Sequence, residues 1–339
     1  MINEIQRFIA QTSQGQHLSR EDAARAFQII MMGGATPAQI AALLTALRLK
    51  GETVDEIAGA ASAMHAKMDH VSAPEGAIDV CGTGGDNRNT LNVSTAVALV
   101  VAACGVSVAK HGNRSVSSLS GSADVLSELG VNIQAGKAAM EKALSEAHIC
   151  FLFAPLYHKA MRHVAPIRQE LGVRTIFNLL GPLANPARPK RQLMGVYDRA
   201  LLQPMAEVLR ALGSEHAWVV HGSDGMDELT LTGPSHVAEL KNGDIHLFDI
   251  TPEEAGLAQA EANAIRGKDV HNNAIQLEHL LMGRHSPYRD IVLLNAAAAL
   301  IVAGKATDLR AGVAQAAQAI DSGNARNTLT TLVRITNEP

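Results

Sequence analysis

Apolar positions recur at helical spacing through the first ~70 residues, and no strand-like alternation interrupts them. Ser19 opens one run, SREDAARAFQIIMM, which Gly33-Gly34 stops. Thr36-Pro37 opens the next, since Thr caps well and Pro suits the first helical position; AQIAALLTALRLK follows and ends at Gly51. Thr53 and Glu56 have capping-box spacing and start a third run, EIAGAASAMHAKM, whose small residues let neighbouring helices approach closely. These features predict an all-helical N-terminal unit, with Pro74 in the linker after it.

The pattern then changes. Ala77–Cys81 alternates like a strand, and STAVALVVAACG reads as a helix with Ser94 or Thr95 near its cap. Gly105–Ala109 reads as a strand before the loop KHGNRSVSSLSGS and the helix ADVLSELG. Ile149–Ala154 is a continuous apolar run suited to a buried parallel strand, and Ala217–Gly222 is another. VAEL and DIHLFDI flank Asn242-Gly243, a hairpin signal. Alternating strands and helices predict a mainly parallel sheet covered on both faces, so the fold class is α/β: a small helical N-terminal domain plus a larger α/β domain. Ligands of such sheets bind beyond the carboxyl ends of the strands. Four polar segments follow apparent strands: GTGGD, KHGNR, APLYH and SDGMDE.

Composition narrows the function. The chain has 339 residues, enough for more than one domain, and only 3% aromatics, so Ala, Val, Leu, Ile and Met must build the core. A formal net charge of −4 gives no general basic field for nucleic acid, so phosphate binding has to be local. Cys81, Cys104 and Cys150 are widely spaced and odd in number, which fits a reducing cytoplasm better than a disulfide framework. The opening MINEIQRFIAQTSQGQ has no apolar stretch suited to a signal peptide or membrane span.

The loops carry the chemistry. In CGTGGD, Gly82, Gly84 and Gly85 let backbone N–H groups approach an anion, and the helix start after Asn92-Val93-Ser94-Thr95 adds its positive end. The third glycine of a dinucleotide fingerprint and the Gly-Lys-Ser/Thr of a P-loop are both missing. KHGNRSVSS, Lys110 to Ser118, brings two cations, an amide and three serine hydroxyls within nine residues, where a solvated basic turn is the ordinary alternative. Asp227-Glu228 supplies adjacent hard oxygen donors suited to Mg2+, where a surface acidic turn is the alternative. His65, His158 and His163 have no zinc spacing and read as helix-surface or packing residues; Met31, Met32, Met64 and Met68 read as helix packing.

Taken together, GTGGD (Gly82–Asp86), NVST (Asn92–Thr95), KHGNRSVSS, SGSADVL (Ser120–Leu126), PIRQELGVRTIFNLLGPLANP (Pro166–Pro186) and GMDE (Gly225–Glu228) resemble the anthranilate phosphoribosyltransferase family, in order and over nearly the whole chain. The resemblance implies a nucleoside phosphorylase/phosphoribosyltransferase-like fold, a helical domain at 1–72 with a return segment at about 165–189, and an α/β domain at 73–164 and 190–339. It implies transfer of the phosphoribosyl group of phosphoribosyl pyrophosphate (PRPP) to the amino group of anthranilate in tryptophan biosynthesis, with two Mg2+ ions, in a cytoplasmic homodimer. Membrane and nucleic-acid partners are not expected.

Carried over by motif, PRPP is assigned to Gly82, Gly85, Asp86, Thr90, Asn92, Val93, Ser94, Thr95, Lys110, His111, Gly112, Asn113, Arg114, Ser115, Val116, Ser117, Ser118 and Ser122. Ser94, Asp227 and Glu228 are assigned to metal; Gly82, Asn113 and Arg168 to anthranilate, whose carboxylate suits a guanidinium. No general base is assigned. Two departures stand out: Asn87, followed by Arg88, where the family commonly has Gly after GTGGD, and Leu91 where it often has an aromatic residue. Arg88 is expected to point into solvent. The rivals are a pyrimidine nucleoside phosphorylase-like enzyme, which would use free phosphate, and a non-catalytic nucleic-acid-binding relative, which would want a basic surface.

Overall fold

The computed structural model describes residues 3–114 and 120–338. The N-terminal unit holds α1 (Glu4–Ser13), α2 (Arg20–Met31), α3 (Pro37–Lys50) and α4 (Val54–His65). Ser19 and Thr36 cap as their types predict, and Thr53 forms its capping box with Glu56. Gly33 and Gly51 take φ of +73° and +83°, the left-handed region where a Cβ is unfavourable. The sequence runs named three helices here; α1 is a fourth, capped by Asn3.

The chain then forms β1 (Ile78–Gly82), α5 (Val93–Ala103), β2 (Val108–Gly112), α6 (Ser122–Glu128), α7 (Lys137–Glu146), β3 (Ile149–Phe153) and the short α8 (Ala154–Tyr157). It returns to the helical unit through α9 (Ala165–Leu171) and α10 (Phe177–Leu180), which pack on α3 and α4. After these come β4 (Arg191–Gly195), α11 (Leu202–Ala211), β5 (His216–Gly222), β6 (Ser235–Lys241), β7 (Asp244–Ile250), α12 (Val270–Leu281), α13 (Pro287–Val302), α14 (Leu309–Asp321) and α15 (Asn324–Thr336). One seven-stranded sheet has the order β3-β2-β1-β4-β5-β6-β7. Its first five strands are parallel, and β6 and β7 add the antiparallel hairpin turned at Asn242-Gly243.

Side chains alternate between two cores, as a sheet covered on both faces requires. Leu193, Trp218 and Val220 join α5 and α13 on one face. Met194, Ala217 and Val219 join α11 and the helical unit on the other.

The structure corrects three readings. The strand expected at Gly105–Ala109 begins at Val108, because Gly105 turns at φ +80°; Lys110 and His111 are therefore buried strand residues rather than loop residues. Helix α5 starts at Val93, with Asn92 at the cap position, rather than after Thr95, so Ser94 and Thr95 lie near the cap inside its first turn. Central β4 was missed because Arg191 and Gln192 interrupt its apolar run; Gln192 is buried and donates its amide to Pro182 O and Cys81 Sγ.

Helices α2 and α4 meet at Gly59, where an added Cβ would press on Arg20 O and lie 2.9 Å from both Ala23 Cβ and Ala24 N. Gly59→Ala is expected to cost about 1–3 kcal/mol, the usual range for overpacking. Urea unfolding measures this, and an unchanged midpoint would mean that the helices can separate freely.

Candidate active site

Four of the five parallel strands end in glycine: Gly82, Gly112, Gly195 and Gly222. At this carboxyl edge the loop after β5 crosses so closely that side chains would collide. A Cβ on Gly82 would strike the Asp227 carboxylate, and one on Gly195 would strike the Asp227 backbone carbonyl. A Cβ on Gly222 would lie 2.7 Å from Asp224 Oδ1. The acidic loop is fixed from within. Asp224 Oδ1 accepts the Met226 N–H at 3.2 Å, and Asp224 Oδ2 accepts the Thr230 hydroxyl at 2.8 Å. Buried Asn295 holds both backbone groups of Leu229 at 2.9 Å.

The glycine loop after β1 is stitched to the segment after β4. Thr83 N–H donates to Gly195 O (2.9 Å), Thr83 Oγ1 accepts the Tyr197 N–H (3.1 Å), and Gly84 N–H donates to Asp227 Oδ2 (2.7 Å). Arg174 donates to Gly85 O. Gly84, Gly85, Asn87 and Asn89 all take φ between +50° and +76°. Asn87 thus stands where glycine is common because asparagine is among the side chains that tolerate this region best. Among the described residues no acceptor takes the N–H groups of Gly85, Asp86 or Asn87, which suits an anion. Arg88 is exposed, as expected, but its guanidinium lies against Gly225 of the acidic loop. Leu91 is buried in the core, and Thr90 pairs with Arg266 in an isolated bridge.

Asn92 leads into α5 without a side-chain cap; its amide side chain bonds Ser120 and Asn273 instead. The buried hydroxyl of Thr95 has no partner among the described residues. Lys110 reaches up from β2 with Nζ donating to Val80 O (2.7 Å) and Ser94 Oγ (3.2 Å). Burial lowers its pKa, and buried Asp79 opposes that shift. Asp79 Oδ1 accepts the His111 N–H (3.3 Å) and its Oδ2 accepts the Asn185 amide (2.8 Å); the same amide nitrogen donates to Ala109 O (2.7 Å).

Asp227 and Glu228 are partly buried. Burial, then Asp86, pushes Asp227 up to about 7; burial, then Asp227, raises Glu228 well above its usual range. Ser94 N–H and Lys110 partly offset the Glu228 charge. Three carboxylates thus share this corner with one buried ammonium. Among the described residues no group of three or more His, Cys, Asp or Glu forms a complete cation cage. Two adjacent carboxylates, with Asp86 close to both, fit Mg2+, which takes few protein ligands and completes its shell with water and phosphate oxygens.

Other expected residues gather around the same edge. Gly112 lets Ser122 and the Phe151 ring close in, and Ser122 Oγ donates to Asn113 O at 3.3 Å. The Arg114 guanidinium pairs with Asp124 at 2.8 Å. Ser115, Val116, Ser117 and Ser118 lie outside the described residues. Arg168, on α9, is half-buried over the Phe177 ring at 5.5 Å, with no carboxylate partner among the described residues. His158 is a buried packing residue, its ring 5.2 Å from that of His111. The Nε2 atoms of both rings lack partners among the described residues. His65 bonds Leu183 O, and His163 packs over Gly33.

Residues 6–68 match the glycosyl transferase family helical bundle domain, and residues 74–326 match its α/β domain. The chain is 58% identical over 337 residues to the anthranilate phosphoribosyltransferase of Rhodospirillum rubrum, spanning 99% of this chain and 97% of that one. The chain belongs to the anthranilate phosphoribosyltransferase family. A solved member from Thermus thermophilus superposes with a TM-score of 0.93 at 43% identity, covering 98% of this chain and 99% of that one. The Saccharomyces cerevisiae member, solved in complex with PRPP and Mg, gives 0.89 at 28% identity, over 98% and 97% of the two chains.

Family motifs marked the loops but gave no role to the groups that brace them: Arg174 and Asn185 lie inside a motif without a role, and Asp79 and Tyr197 lie outside the motifs. The buried charge of IDVC was a usable signal for Asp79, since a carboxylate inside an apolar strand needs partners; Tyr197 carried none.

Burial depresses His111 to about 3 and His158 to about 4. Below the unfolded value near 6.5 the unfolded chain therefore holds more protons at these sites, and they lower stability as pH falls. Asp227 acts oppositely, because its folded form binds the proton first. The informative comparison is thus with His111→Gln. From pH 7 to pH 5 the difference in unfolding free energy should move in the variant's favour by about 2 kcal/mol at most. A difference independent of pH would mean that folded His111 protonates as freely as the unfolded residue.

Proposed function

We infer that this chain transfers the phosphoribosyl group of PRPP to the amino group of anthranilate, yielding N-(5-phosphoribosyl)anthranilate and pyrophosphate in tryptophan biosynthesis. The observation that carries the reading is the meeting, at one sheet edge, of unpartnered glycine-loop N–H groups with the Asp227-Glu228 pair, in a chain of this family. The Saccharomyces cerevisiae member has also been solved with 4-fluoroanthranilate.

In this reading PRPP lies along Gly82, Gly85, Asp86, Thr90 and Asn92–Thr95, then along Lys110–Ser118 and Ser122. Ser94, Asp227 and Glu228 hold two Mg2+ ions. Bound Mg2+ supplies positive charge that offsets negative charge growing on the leaving pyrophosphate. The bond from the ribose C1 to pyrophosphate breaks as the amine nitrogen bonds to C1, and the amine then loses a proton. The free N–H groups after Gly84 bind phosphate oxygens, and Lys110 adds a buried cation beside them. Arg168 and Asn113 orient anthranilate through its carboxylate, near Gly82. An aryl amine is unprotonated at neutral pH, so the site works without a strong base.

The segment at 165–189 belongs with the helical domain at 1–72 in this reading, supported by the packing of α9 and α10 on α3 and α4. The α/β domain takes 73–164 and 190–339. A homodimer is supported by large apolar side chains exposed on the helical side, Leu49 at 82% and Val173 at 59%. A cytoplasmic location is supported by three unpaired cysteines.

Mixing protein, Mg2+, PRPP and anthranilate should quench anthranilate fluorescence; no PRPP-dependent loss would sink the reading. Asp227→Asn and Glu228→Gln should each lower turnover by about a hundredfold or more, as loss of metal-borne charge stabilisation implies. Both should fold normally, since they remove a charge that burial disfavours. Near-parental rates at low Mg2+ would overturn the metal assignment. Arg168→Ala should raise the KM for anthranilate about ten- to hundredfold, the scale of one charge-assisted bond, and that for PRPP far less. Equal weakening of both substrates would make Arg168 structural.

A further inference from the structure

We propose that Arg174 is a positioning residue for PRPP, acting through the Gly85 carbonyl and braced by the ring of Tyr197. The inference rests on the reading that the glycine loop binds PRPP. Arg174 comes from the return segment, six residues after Arg168 in the sequence, and crosses to the loop after β1. Its guanidinium carbon sits 4.0 Å from the centre of the Tyr197 ring and its NH2 group donates to Gly85 O. Gly85 has φ +76°, and a Cβ there would lie 3.6 Å from the guanidinium, so the loop is moulded against this side chain.

The consequence follows from peptide planarity. A trans peptide points its C=O and N–H in opposite directions. Drawing the Gly85 carbonyl toward Arg174 therefore turns the Asp86 N–H away from the return segment, and that N–H has no acceptor among the described residues. The same bond keeps a carbonyl oxygen, which would repel phosphate, from facing the anion. Left-handed glycines have little intrinsic preference for one peptide orientation, so an outside donor is needed to choose it. Tyr197 fixes the donor. Its own N–H is held by Thr83 Oγ1, and its ring confines the planar guanidinium by a cation–π contact. Brace and loop thus share one short circuit: Thr83, Tyr197, Arg174, Gly85.

Titration calorimetry of PRPP in MgCl2 tests this without relying on turnover, and steady-state assays with anthranilate run beside it. Arg174→Ala should weaken PRPP binding about tenfold, as expected for one charge-assisted bond with its cation–π brace. The KM for PRPP should rise to match, with that for anthranilate within about threefold on the same scale. Tyr197→Ala should reproduce the loss, Tyr197→Phe should keep the ring and restore parental affinity, and the double alanine variant should lose little more than either single one. Three results would overturn the proposal: Arg174→Ala binding PRPP as the parent does, Tyr197→Phe binding as weakly as Tyr197→Ala, or fewer binding-competent molecules with unchanged affinity. Parental PRPP binding without transfer to anthranilate would instead overturn the transfer reading and leave this one standing.

Discussion

The close passage of the Asp227 backbone across the ends of β1 and β4 is the constraint on which the rest of the site depends. It is possible only because Gly82 and Gly195 present no side chain there. Those two residues are register partners on neighbouring strands, so together they open one gap at the point where strand order reverses between β1 and β4. The acidic loop drops into that gap and meets the glycine loop after β1, bringing charges from distant stretches of chain together.

The arrangement is electrostatically expensive. Asp79, Asp227, Glu228 and Lys110 are all drawn into low dielectric, and each is pushed toward its neutral form. Interior hydrogen bonds meet part of that cost: Asn185 and the His111 N–H on Asp79, the Gly84 N–H on Asp227 and the Val80 carbonyl on Lys110. What remains unmatched points into the cleft, which is the condition for binding a charged ligand with its counter-ion.

Much of this was legible in the sequence. The caps at Ser19, Thr36 and Thr53, the hairpin at Asn242-Gly243 and the apolar strands β3 and β5 follow local rules, and local rules survive folding. Polar residues inside central strands were not legible. Lys110, His111, Arg191 and Gln192 look like loop material because their partners lie in another strand, in the return segment or at the end of α13. Motifs located the ligand loops but not the hydrogen bonds that aim them, which join residues far apart in the chain. Which of the two readings of His158, surface or packing, holds is decided by the fold, not by its neighbours in sequence.

The link between Asn185 and Asp79 has a mechanical corollary. The return segment is riveted to the sheet there, again where Gln192 takes the Pro182 carbonyl, and once more where Arg174 grips Gly85. Residues 174–185 are therefore tied to the sheet's frame at three points while α10, within them, packs on α4, so the segment bridges the sheet and the helical unit. Any rocking of the helices over the cleft would have to carry α10 with it and so load the same three bonds, which makes this bridge the mechanical coupling between the helical unit and the sheet edge.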